Sequence, residues 1–285
     1  MKNIKIITFA VLIFISSNIP CASEQKIKVV ASIAPLADFA RQVGGDKVDV
    51  ILLLPPGASP HTYEPTPKIA QEISKAKIFI KIGAGLEFWA DKLITSSNSR
   101  ITIIECSKGM ELIRNGLNVD PHIWLDPMIC INIVKNIEIA LSKADPANSN
   151  VYRKNASLYT EKLIELDREI ADRIKQFRIK EYVTFHPAWN YFSRRYGLRV
   201  AGVIEEGPGK EPTPKHLNKI LKELKRINTR IVFAEPQFSP KVAEAVAQEA
   251  GGKVLFLDPV GGQKNSETYL DMMRYNVDAM ERVMK

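Results

Sequence analysis

Residues 149–177, SNVYRKNASLYTEKLIELDREIADRIKQF, hold the pattern that decides the fold. The apolar positions Tyr152, Ala156, Tyr159, Leu163, Leu166, Ile170, Ile174 and Phe177 recur at steps of three and four, the period of an amphipathic helix. Twenty-nine residues at 1.5 Å each give a rod of about 43 Å, long enough to run the height of a domain. The stretch has no glycine and no proline, so it reads as a stiff spine rather than a linker. On either side lie four short runs rich in β-branched and aromatic residues. Those before the spine are 27–33, 48–54, 78–82 and 101–104, and those after it are 182–185, 198–204, 230–234 and 253–257. Most are continuously apolar, as strands covered by helices on both faces are. Helical patterns alternate with them. Four of these open on a capping residue followed by proline: Thr66-Pro67, Asp126-Pro127, Thr213-Pro214 and Ser239-Pro240. The fold class that follows is α/β: two lobes, each a mostly parallel four-stranded sheet flanked by helices, joined by one long rigid α-helix. The expected divisions are 24–145 for the first lobe, 146–179 for the linking helix and 180–285 for the second lobe. Glu64-Pro65-Thr66-Pro67 recurs as Glu211-Pro212-Thr213-Pro214, a faint echo between the halves.

The chain has 285 residues, with 45% hydrophobic and 25% charged, the balance of an ordinary globular protein. Met1 to Lys5 carry two lysines, Ile6 to Ile15 are apolar, and small or polar residues run on to Ser23. This is the layout of a secretory leader, 1–23, and its apolar run is too short for a resident membrane helix. Export to the periplasm is the expected localisation. Lipid attachment at Cys21 is disfavoured by Pro20 directly before it. Net charge is +8, and removing Lys2 and Lys5 with the leader leaves +6. The excess is interleaved with acidic residues, which describes a solvated face and argues against nucleic acid as a partner. Cys106 and Cys130 remain in the mature chain, and their spacing is compatible with either a disulfide or two buried thiols.

Three of the four histidines stand in unusual settings. His61 lies in Pro60-His61-Thr62-Tyr63-Glu64-Pro65, His122 in Asp120-Pro121-His122-Ile123-Trp124-Leu125-Asp126-Pro127, and His186 in His186-Pro187-Ala188-Trp189-Asn190. With Asp258, in Leu257-Asp258-Pro259, they occupy loops at or after carboxyl ends of strands, where open α/β sheets place ligands. Three imidazoles and a carboxylate suit a four-coordinate site for a borderline divalent metal. Spacings of 61, 64 and 72 residues match no local zinc motif, however, and a lone loop histidine is ordinarily solvated. His216, in the first turn of a lysine-rich helix, reads as solvated. Gly83-Ala84-Gly85-Leu86-Glu87-Phe88 has the look of a dinucleotide loop, but Phe88 stands where a third glycine is needed. Neither a Gly-x-Ser-x-Gly elbow nor a Gly-Lys-Ser/Thr phosphate loop is present. Trp89, Trp124 and Trp189 read as core or cleft-wall residues.

Taken together and in order, these motifs resemble the zinc- and manganese-binding solute-binding proteins of ABC importers, the cluster 9 or TroA/ZnuA-like group. The resemblance also draws on Ser32-Ile33-Ala34-Pro35-Leu36 and Gly83-Ala84-Gly85-Leu86-Glu87-Phe88-Trp89, and it covers the whole mature chain. It implies two α/β lobes on one long helix with the metal between them, and the ligands His61, His122, His186 and Asp258. It implies a monomeric, non-catalytic carrier that captures a divalent metal and delivers it to a membrane permease; adhesion is a role proposed for some members. With His186 where manganese-specific members commonly have a carboxylate, the donor set favours Zn2+ as cargo, with Mn2+ as the alternative. Against this, residues 111–120 hold none of the histidines that many zinc-specific members carry there. Glu205, Glu206 or Asp126 would orient the rings. A secreted metallohydrolase is the rival reading, without a His-Glu-x-x-His helix to support it.

Overall fold

A computed structural model describes residues 26–96, 101–115, 118–207, 209–262 and 266–285. The expected leader lies outside the described residues. The first four strands are β1 (Ile27–Ala31), β2 (Val48–Leu52), β3 (Ile78–Lys81) and β4 (Thr102–Glu105). They form one parallel sheet in the order β2-β1-β3-β4, with Val29 opposite both Val50 and Ile78. A two-residue antiparallel pairing follows, β5 (Arg114–Asn115) with β6 (Asn118–Val119), too short to leave a mark in the sequence. The second sheet holds β7 (Glu181–Thr184), β8 (Arg199–Val203), β9 (Ile231–Ala234) and β10 (Lys253–Phe256), again parallel, in the order β10-β9-β7-β8. Numbered within its own lobe, each sheet runs second-first-third-fourth. The halves therefore share one topology, which gives the short repeated motif a structural counterpart. In both, the winding reverses between the lobe's first and third strands, and a crevice opens there at the carboxyl edge.

All eight expected strands are present, shifted or shortened by one or two residues at their ends. Hydropathy does not change where the backbone leaves the sheet: Ser32, Leu53 and Leu54 are buried and still bonded to neighbouring strands as the chain turns into loops.

Nine helices lie among the described residues: α1 (Ala34–Gly44), α2 (Pro67–Lys75), α3 (Phe88–Ser96), α4 (Pro127–Ala144), α5 (Ser149–Lys175), α6 (Asn190–Tyr196), α7 (Pro214–Arg226), α8 (Lys241–Glu249) and α9 (Tyr269–Met284). Asp126 caps α4 by accepting from the Met128 amide, and Thr213 caps α7 by accepting from that of His216. Thr66 stands at the start of α2 without a side-chain bond. The fourth expected cap is displaced: α8 starts at Lys241, with Pro240 rather than Ser239 in the capping position.

The spine α5 has 27 residues, about 40 Å; seven of the eight expected inward positions lie in it and are buried, and the eighth, Phe177, is buried just past its end. It packs against α1 and α4 of the first lobe and against α9. Tyr159 donates to Asp38 of α1 at 3.0 Å. Helix α9 crosses back from the second half onto the first: the Tyr269 amide donates to Asp38 at 2.9 Å, and its ring meets Phe39 edge-on. Cys106 and Cys130 are free thiols in this core, and burial raises both above the ordinary thiol range.

Candidate metal centre

The first lobe contributes His61 from the loop after β2 and His122 from the rigid turn before α4. The second contributes His186, two residues past the end of β7. The three meet. Nε2 of His122 is 3.1 Å from Nε2 of His61 and 3.3 Å from Nε2 of His186, and one donor atom from each ring lies within 4.8 Å of the others. No other such group of three or more histidine, cysteine or acidic donors occurs among the described residues. Prolines 60, 121 and 187 adjoin the three histidines, limiting the backbone freedom lost in gathering them.

Burial, together with the neighbouring rings of His122 and His186, holds His61 at about 2. Burial also lowers His122, partly opposed by Asp120, which accepts from it. These two imidazoles are neutral at pH 7, with lone pairs free for a cation. The enclosed space, bounded by the three rings with Ser59, Trp124 and Phe238 among others, is about 10 Å³, room for roughly one water-sized sphere.

Behind the rings stand carboxylates that the sequence reading did not select. Asp120 Oδ1 lies 2.7 Å from Nδ1 of His122 and accepts from its amide at 2.9 Å, while Oδ2 takes the Asn190 amide of the second lobe at 2.9 Å. Glu235 Oε2 lies 2.5 Å from Nδ1 of His186, off the line of a straight hydrogen bond. The three expected orienting residues are used elsewhere. Asp126 caps α4, Glu205 accepts from the Gly209 amide, and Glu206 lies 3.6 Å from His216. A carboxylate closing the apolar run Ile231-Val232-Phe233-Ala234 was the available signal for Glu235, and an aspartate two residues before His122 was the signal for Asp120. His216 is not solvated as expected: its ring turns back onto β8, with Nε2 2.7 Å from the Val203 carbonyl oxygen.

Asp258 lies beside this cluster rather than within it. Its Oδ1 accepts from Gln237 at 2.8 Å and from the amides of Gly261 at 2.9 Å and Val260 at 3.1 Å, while Oδ2 lies 3.5 Å from the Ser266 hydroxyl. The loop is tied to the first lobe through Trp124, whose indole N–H donates to the Pro259 carbonyl at 2.6 Å. The glycine loop after β3 is occupied by its own chain. Glu87 accepts from the amides of Ile82 and Gly83 and from the Ser32 hydroxyl, placing a carboxylate where a nucleotide phosphate would have to bind.

The family model described as ZnuA, the periplasmic zinc-uptake complex component A, matches residues 29–283. The chain belongs to the ZnuA family. The high-affinity zinc uptake system protein ZnuA of Bacillus subtilis is 31% identical over 277 residues, spanning 90% of this chain and 87% of that protein. The zinc-binding protein AdcA of Streptococcus pyogenes serotype M1 is 31% identical over 288 residues, and the match spans 56% of AdcA's length. A crystal structure of ZnuA superimposes with a TM-score of 0.85 at 29% identity, over 92% of this chain and 100% of that one. Two parallel four-stranded sheets with a long helix between them are the ZnuA architecture, as the sequence pattern predicts.

Proposed function

We propose that this chain is the metal-capturing component of a zinc uptake system, exported by cleavage of 1–23 and working with an ABC-type permease. Its cargo is one Zn2+, held between the lobes (24–145 and 180–285, joined by 146–179) by Nε2 of His61, His122 and His186. Asp258, beside the three rings, supplies the fourth donor through its carboxylate. The observation that carries this reading is the convergence of three imidazole nitrogens from two lobes on one ion-sized space. Three imidazoles form a softer donor set than the oxygen-rich sites that suit manganese, which favours zinc. The small cavity favours carriage over catalysis, because organic substrates need pockets of several hundred Å³. Among the described residues no helix is long and apolar enough to cross a membrane.

The test is a competition titration of metal-stripped protein with zinc and manganese, with the bound metal counted by mass spectrometry. One zinc per chain that excess manganese cannot displace is the expected result. Equal retention of both would make the chain a broad divalent-metal carrier, and no stoichiometric metal would refute the reading.

A further inference from the structure

One carboxylate beside the site has no hydrogen-bond partner. Glu235 is 1% exposed, neither of its oxygens accepts a hydrogen bond, and Nδ1 of His186, 2.5 Å away, is equally unsatisfied. Leaving a buried carboxylate and a buried ring nitrogen unmatched is costly, so a pair this close demands an account. Two other polar groups near Glu235 are already committed. The Tyr182 hydroxyl is paired with Ser193, and Glu205 accepts from Gly209. His186 is the donor in reach.

We propose that Glu235 is the positioning residue for His186, accepting a hydrogen bond from its Nδ1–H so that the Nε2 lone pair faces His61 and His122. This inference rests on the metal-binding reading above. The same device is already formed at His122, where Asp120 stands 2.7 Å from Nδ1. Such outer partners fix the tautomer and ring orientation of a ligating histidine and raise its basicity. Glu235 also begins a short turn that serves both second-lobe positions. Gln237 donates to Asp258, the Phe238 ring packs 5.2 Å from that of His186, and the Phe238 amide closes the turn on the Glu235 carbonyl. Residues 235–238 therefore form one bracket, with Glu235 holding the ring and Gln237 the carboxylate. Each lobe thus has one histidine with a carboxylate behind its ring, His122 in the first and His186 in the second.

The experiment compares wild type, Glu235→Leu and Glu235→Gln on two scales: the His186 tautomer in metal-free protein, by 15N-detected NMR, and zinc affinity, by chelator competition. Wild type should show the Nδ1–H tautomer. Glu235→Leu should lose that preference and bind zinc about 10- to 100-fold more weakly. Glu235→Gln, which keeps an oxygen acceptor, should keep the tautomer and lose less affinity. An unchanged tautomer and unchanged affinity in the Leu variant would overturn the proposal. If that variant does not fold, an Nε2–H tautomer of His186 in the metal-free wild type would overturn it. Failure of the wild type to hold zinc would instead refute the functional reading, and the tautomer measurement on the metal-free protein would still decide the role of Glu235.

Discussion

Asp258→Ala separates two duties assigned to one side chain, the proposed ligation of the cargo and the support of its own loop. In the metal-free protein, Oδ1 accepts from the Val260 and Gly261 amides and from Gln237. Truncation leaves two backbone N–H groups without an acceptor in a buried turn. At about 1.5 kcal/mol each, the loss is about 3 kcal/mol before any relaxation. The turn cannot easily be rebuilt, because Gly261 sits at φ +70° with Met272 Sδ only 3.0 Å from where a Cβ would stand. For a chain of this size, about 3 kcal/mol lowers the melting temperature by roughly 6–12 °C. Differential scanning calorimetry in excess chelator measures this directly. Asp258→Asn, which retains one oxygen acceptor, should fall less than half as far. Zinc at about a thousandfold excess over Kd adds roughly 4 kcal/mol to the wild type. Both variants should gain visibly less, because each lacks the carboxylate donor. If metal-free Asp258→Ala melts within about 2 °C of wild type, Oδ1 does not hold the turn and the reasoning fails.

Three further outcomes follow from the same structure. His61 is held at about 2 in the folded chain against 6.5 when exposed, so the unfolded chain binds the extra proton. Stability of the metal-free protein is therefore full above pH 6.5 and falls below it, by about 1.4 kcal/mol per pH unit for this group; a denaturation midpoint unchanged between pH 7 and pH 5 would contradict this. Leu163→Ala, in the fully buried stripe of α5, should cost about 2–5 kcal/mol by chemical denaturation while leaving zinc stoichiometry at wild-type level. Cys106 and Cys130, buried and raised above the ordinary thiol range, should resist alkylation in native protein and react promptly in denaturant, as peptide mass mapping would reveal.

Much of this architecture was legible because its signals are local. Strands covered on both faces must be apolar throughout, and a helix buried along one stripe must repeat at three and four, so β1 to β4, β7 to β10 and α5 are visible as patterns. The three histidines could be singled out because proline-bounded loops at strand ends are where such sheets hold ligands. The carboxylates behind the rings could not, since the choice of partner is made in three dimensions. Asp126, Glu205 and Glu206 are no less suitable by type than Asp120 and Glu235. One is taken by a helix cap, one by a loop amide and one lies beside His216. The inward turn of the His216 ring toward Val203 likewise depends on how α7 lies over β8. Nor could spacing decide between a disulfide and two thiols for Cys106 and Cys130.

The return of α9 onto the first lobe has a consequence for when the site comes into being. The Tyr269 amide meets Asp38 across 231 residues of chain, Trp124 meets Pro259 across 135, and His122 meets His186 across 64. Each closure spans a long loop, and the bond of longest reach waits on Tyr269. A nascent chain that has not yet reached Tyr269 has the histidines but not all of these closures. The proposed metal site is thus a product of long-range folding, and ions met earlier find only scattered imidazoles.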